Sequence, residues 1–182
     1  VRAAISDKID ADVISGSNFD SQFNDTTASV AMGSGQDALA LAVSAAMGTL
    51  EANGYRNLAA LVPADLPRHL RDARVVPGGG TAGTVVGSSA LYQPVGNDPL
   101  YGMPRAVSTT LNTIAAGGTI GYVFNRDNVH VRIRQDVTVA RSSEATIGGT
   151  SLFQNDLTAV RYVTRIGVYI HDVNRAVVKI TK

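Results

Sequence analysis

Apolar residues at Val1, Ile5, Ile9 and Val13 recur every four positions, with Asp7, Lys8, Asp10 and Asp12 mostly off that stripe. This spacing predicts an amphipathic helix, ended by Ser15-Gly16-Ser17. Residues 16–35 are rich in Ser, Gly, Asn, Asp and Thr and predict an irregular loop. Ser34-Gly35-Gln36-Asp37 is similar to a capping box and opens a helix of about sixteen residues. Ala38, Leu39, Ala42, Val43, Ala46 and Leu50 form its apolar face, and Asn53-Gly54 ends it. So many alanines allow close approach to a sheet. Leu58 to Val62 predicts a short buried strand stopped by Pro63, and Asp65 opens a second helix running to about Asp72.

Beyond residue 76 the period changes from helical to alternating. Pro77-Gly-Gly-Gly-Thr-Ala-Gly predicts a flexible loop, followed by a short apolar stretch at Val85 and Val86. Leu100-Tyr101-Gly102-Met103-Pro104 predicts a turn into a strand over Arg105–Thr110, and Gly117-Gly118 precedes another strand over Thr119–Phe124. From Asn128 to Val139, Val129, Val131, Ile133 and Val137 face one way and His130, Arg132, Arg134 and Asp136 the other. A glycine-bearing loop over Glu144–Thr150 leads to the longest run, Leu157 to Ile170, which would extend about 45 Å at roughly 3.3 Å per residue. One of its faces carries Val160, Tyr162, Thr164, Ile166, Val168 and Ile170; the other mixes Leu157, Ala159, Val163 and Tyr169 with Arg161 and Arg165. Neither face is purely polar, so the strand is expected to be covered on much of both sides or to pack against neighbouring subunits. An Asp172-x-Asn174 turn and a short apolar strand follow. The class is α+β, with helices mainly in the first half and antiparallel strands in the second.

Composition narrows the function classes. The 182 residues are 45% hydrophobic and 17% charged, a balance that builds a core and not a disordered chain. A net charge of +1 provides no bulk attraction to nucleic acid or to a membrane surface. The absence of cysteine removes disulfides, thiolate metal sites and thiol nucleophiles. No apolar stretch approaches the roughly 20 residues of a bilayer span, and no signal peptide is visible. The chain opens on Val1 within a helical stripe, which predicts that upstream sequence has been removed by processing or at a cloning boundary.

Catalytic and cofactor signals are weak. Gly78, Gly80 and Gly83 satisfy G-x-G-x-x-G, but Pro77 precedes them and the β-prone Thr84-Val85-Val86 follows, where a dinucleotide site needs a strand and then a helix. His69, His130 and His171 form no metal-ligand spacing, and no serine lies in a G-x-S-x-G elbow. These observations predict no catalytic residue, no cofactor and no metal. Arg132, Arg134, Arg141, Arg161 and Arg165 allow phosphate binding, but aromatic residues are only 5% and supply no stacking platform. Ion pairs within or between subunits are the expected use, which makes Arg132, Arg134, Arg161 and Arg165 candidate subunit-interface residues.

The order of elements then carries a resemblance. The Leu100-Tyr101-Gly102-Met103-Pro104 turn is similar to the L-x-G-x-P that precedes a strand in tailed-bacteriophage major capsid proteins of the HK97 fold. Phe153-Gln154-Asn155-Asp156 with Ala159-Val160-Arg161, and the ending Asp172-Val173-Asn174-Arg175-Ala176-Val177-Val178-Lys179-Ile180, resemble further stretches of that family in the same order. The resemblance implies an HK97-like capsid fold, with 1–14 as the end of the P-domain spine helix and 15–120 as A-domain. It likewise makes 121–172 the P-domain strands and 173–182 a strand returning to the A-domain. It implies a structural, non-enzymatic subunit of an icosahedral shell that encloses dsDNA and self-assembles into hexamers and pentamers, located in the virion capsid and assembled in the bacterial host cytoplasm. Scaffold, protease and portal proteins are implied partners, packaged dsDNA is met only by non-specific contact, and no membrane is involved. The family's N-terminal arm and E-loop have no counterpart here. Ile147-Gly-Gly-Thr-Ser-Leu also lacks the Asn that some members cross-link, which leaves such cross-linking without support. The alternatives are an encapsulin-like compartment shell, which shares the fold and encloses cargo proteins, and a small α+β hydrolase or ligand-binding domain.

Overall fold

A computed structural model describes residues 2–16, 19, 21–34, 38–66, 68–69, 99–144, 146–155 and 157–182. In chain order the strands are β1 (Ser29–Ala31), β2 (Leu58–Pro63), β3 (Arg105–Ser108), β4 (Thr119–Asn125), β5 (Val129–Ser142), β6 (Thr146–Ile147), β7 (Thr150–Ser151), β8 (Ala159–Ile170) and β9 (Val177–Thr181). The long helices are α1 (Arg2–Ser15) and α2 (Ala38–Ala52). The chain divides into two compact units, one of Val1–His130 with Tyr169–Lys182 and one of Val131–Val168.

The first unit is built on a mixed sheet in the order β1-β9-β4-β2-β3. β4 runs antiparallel to β2 and β9, while β1 is parallel to β9 and β3 to β2. Leu58, Ala60 and Val62 of β2, with Val178 and Ile180 of β9, meet Leu39, Val43, Ala46 and Leu50 of α2 on one side of the sheet. Leu61, Tyr122, Phe124 and Val177 point to the other side, where Ile14 and Phe23 cover them. The Phe23 ring packs 5.5 Å from that of Tyr122 and 4.9 Å from that of Phe124, in tilted and edge-on arrangements that aromatic pairs favour. Burial on both faces explains why β2 and β9 read as nearly continuous apolar runs. Each fully buried aliphatic side chain in these layers stabilises the fold by about 1.5–3 kcal/mol.

Alternation along β4 slips by one at its start, where the register with β9 shifts between Thr119 and Gly121. Gly121 sits at this bulge with its α-carbon close to β2; a Cβ there would lie 3.2 Å from the Leu61 carbonyl oxygen. Ile120 and Val123 therefore share the α2 side of the sheet although their spacing is odd.

Several sequence expectations change. The first helix is present, yet its deeply buried contact is Ile14, one position past the expected stripe. The segment taken as an irregular loop carries a helical turn at Phe23–Asp25 and strand β1. Two of its polar residues, Ser21 and Thr26, are buried and bond to distant strands. Ser21 Oγ donates to Ile170 O (3.2 Å) and accepts from Ile170 N (2.6 Å), and Thr26 Oγ1 donates to Val177 O at 2.7 Å. Thr27 N donates to Asn174 Oδ1 at 2.9 Å, so the turn before β9 is tied to the same segment. The Leu100–Met103 turn is as expected, with the two residues exchanging both backbone bonds (2.8 and 2.9 Å) across Tyr101 and Gly102 at positive φ, a type I′ hairpin. The strand expected over Arg105–Thr110 ends at Ser108, and the one expected from Leu157 starts at Ala159. The glycine loop of Glu144–Thr150 contains the small β6–β7 hairpin, closed by Gly148 and Gly149 at positive φ. The capping box at 34–37, the helix beyond His69, the glycine loop at 77–83 and the apolar stretch at 85–86 lie outside the described residues.

Candidate assembly surface

β5 and β8 pair as a two-stranded ribbon, and most of it makes up the second unit. Thr164 Oγ1 donates to Gln135 O at 3.1 Å, Thr138 Oγ1 to Val163 O at 3.3 Å, and a Cβ at Gly167 would lie 4.0 Å from Arg132 O. Numbering falls on one strand as it rises on the other, so the pairing is antiparallel; these contacts set 132 by 167 and 135 by 164, and 138 by 163 after an offset of two that keeps the parity. Residues directly opposed in such a ladder share a face. Even positions of β5 consequently lie with odd positions of β8.

That parity collects all four candidate arginines on one face: Arg132 and Arg134 from β5, Arg161 and Arg165 from β8. Arg134 lies directly opposite Arg165. All four are exposed, and none of their side chains makes an ion pair or hydrogen bond among the described residues. The segment Val131–Val168 holds five arginines against three carboxylates, so the excess is positive. Spacing in sequence named these residues; the register brings them together.

The other face is aliphatic and open. Val131, Ile133, Val137, Val139, Val160 and Tyr162 are 41–63% exposed. Of the two expected arrangements, cover from the same chain is not seen among the described residues, where only the end of the strand at Val168 and Ile170 is buried; packing against neighbouring subunits is the other. Alternating Val-x-Val-x-Ile predicts one buried face, and nothing in that pattern says whether the cover comes from the same chain. The signal missed in sequence is the matching pair of long strands, which is too thin to be stable on its own faces. Ile147 and Phe153, at 57% and 78% exposure, add uncovered apolar surface in the same unit.

Among the described residues no three His, Asp or Glu come together to hold a metal. His130 stacks on Tyr169 (6.5 Å, 15°), and Tyr169 leans on His171 at 6.4 Å. His69 Nε2 lies 3.4 Å from Asp65 Oδ2, which accepts the Ile114 N–H at 2.9 Å. Two grooves, about 270 Å³ beside Val30 and Leu41 and about 210 Å³ beside Asn24 and Tyr122, fall below the size of common small-molecule sites, about 300–1,000 Å³. Among the described residues, two groups are displaced from their ordinary ranges. Burial, and then the charge of Asp7, push the Asp10 carboxyl above the usual range. Burial pushes the Tyr122 hydroxyl up to about 12, against a smaller opposing hydrogen bond from the Thr119 side chain.

No protein-family model matches the chain, and no curated protein matches it. Solved structures do. A chain of Mycobacterium phage Bobi aligns over 98% of this chain and 61% of its own, at 19% identity and a TM-score of 0.76. One of Mycobacterium phage Ogopogo aligns over 98% and 64%, at 16% identity and a TM-score of 0.74. The capsid of the empty GTA particle aligns over 99% and 63%, at 20% identity and a TM-score of 0.61. The molecule thus has an α+β capsid fold, as the sequence resemblance implies. It spans about three fifths of the length of these chains.

Proposed function

We propose that this chain is a structural subunit of an icosahedral phage-type shell that encloses dsDNA and is built by self-assembly into hexamers and pentamers. The supporting observation is the two-faced ribbon of β5 and β8, whose aliphatic and arginine faces are both exposed among the described residues of a chain that aligns over 99% of its length with the capsid of the empty GTA particle. A two-stranded ribbon is marginal in water unless something packs on it. A repeating neighbour supplies that cover, and the arginines then serve as interface ion pairs. In this reading 1–14 is the end of a spine helix, 15–120 and 173–182 belong to the domain around the capsomer axes, and 121–172 supplies the peripheral strands, of which 131–168 form the separate ribbon unit while 121–130 and 169–172 stay with the first unit. Scaffold, protease and portal proteins are the partners, packaged DNA is met by non-specific contact, the work is mechanical and not catalytic, and assembly occurs in the host cytoplasm before the chain is part of the virion.

The test is electron microscopy of the chain expressed from its whole gene. Shells of one size, containing nucleic acid when made in the presence of the packaging machinery, are the expected result. A monodisperse monomer at high concentration would overturn the reading, and uniform shells filled only with protein cargo would transfer it to a compartment shell.

A further inference from the structure

We propose that the Arg134/Arg165 pair of one copy receives the Asp7/Asp10 pair on α1 of a second copy of this chain; the inference rests on the self-assembly reading above and names the partner of its arginine face. Each pair is unfavourable alone. Arginines directly opposed across a ladder, with Cβ atoms about 4.5–5.5 Å apart, repel one another. Asp7 and Asp10, three apart on one helix face at about 5–6 Å, do the same. Asp7 is exposed and Asp10 partly buried, and neither has an ion-pair or hydrogen-bond partner among the described residues. The adjacent cation, Lys8, is engaged with Asp12 at 2.9 Å. Burial first, and the neighbouring charge of Asp7 second, push the Asp10 carboxyl above its usual range.

The geometry of the two pairs is complementary. Both present two like charges at nearly the same separation, and a planar guanidinium receives a carboxylate through two parallel N–H···O bonds. Two-on-two docking converts both repulsions into attractions. Every copy carries one pair of each sign on different elements, so the contact joins unlike surfaces head to tail. Such contacts close into rings when the rotation allows.

Charge exchange tests the pairing on the full chain by sedimentation velocity. Arg134→Glu with Arg165→Glu, and separately Asp7→Lys with Asp10→Lys, should each weaken self-association by about tenfold or more. All four changes together should restore it to within about threefold of the original. Failure of the combined variant to recover, with circular dichroism and melting temperature unchanged throughout, would overturn the pairing, as would either double variant associating normally. Should a reversed-charge variant fail to fold, Arg134→Gln with Arg165→Gln and Asp7→Asn with Asp10→Asn decide instead. These neutral forms should lose much of the salt dependence that screening gives the parent between about 0.01 M and 1 M, and an unchanged salt slope would sink the idea. Shells that form normally in any of these variants count against this contact alone, whereas a parent chain that never self-associates removes the capsid reading and the pairing together.

Discussion

Tyr122 shows how one side chain can record the packing around it. Its ring is wedged beside Phe23 with 1% of its surface exposed, and its hydroxyl is pushed up to about 12. An unfolded tyrosine ionises near 10, so between these values the folded chain binds the proton and the unfolded chain does not. Stability is then fully present below about pH 10 and is lost as pH rises from about 10 to about 12, a total of about 2–3 kcal/mol. Urea unfolding near pH 7 and again near pH 11.5 should show a drop in the parent chain that Tyr122→Phe reduces; equal drops in both would contradict this origin. Tyr101 is a second residue in an unusual state, held at φ 50° in the first position of its turn with Gly102 following at 81°. Left-handed backbone costs a side-chain-bearing residue about 1–2 kcal/mol, and the flanking exchange of hydrogen bonds between Leu100 and Met103 offsets it.

At the scale of elements, what could be read from sequence follows burial. α2, β2, β4 and β9 announce themselves because their side chains meet water on one face or none, and the Leu-Tyr-Gly-Met turn because glycine marks positive φ. β1 hides among Ser, Thr and Asn because those residues bond to the backbone of β9 and to Asn174, more than 140 positions away, and composition cannot report such a distance. The arginine face was legible as a list of four residues and not as a surface, since its existence depends on the register between β5 and β8. Register also defines a cut. His130 and Tyr169 stack across the ladder where the first unit ends. Replacing Val131–Val168 by Asn-Gly, which suits a two-residue hairpin loop, should leave a cooperatively melting unit with protected amides in β4 and β9. Broad, non-cooperative melting would show that the first unit depends on the second.

For the whole molecule, stability and assembly are expected to separate. Val131 and Ile133 are more than 60% exposed, so changing them removes little buried surface from the lone chain. Val131→Thr with Ile133→Thr should therefore leave the melting temperature within about 2 °C, since uncovered surface positions contribute within ±0.5 kcal/mol. The same variant should raise the protein concentration at which light scattering reports assembly. A lowered melting temperature with unchanged assembly would place the aliphatic face in the core of the subunit instead.

β9 holds a central place in the sheet, between β1 and β4, although it follows every other strand in the chain. During synthesis the first unit accordingly waits, with two strand edges open, until residues 131–168 have already left the ribosome. A chain stopped anywhere before Val177 lacks the strand that joins β1 to the rest and exposes the edges that invite aggregation. Completion of the sheet thus waits on the synthesis of β9: β1 and β4 are joined only once the chain has been translated through Thr181.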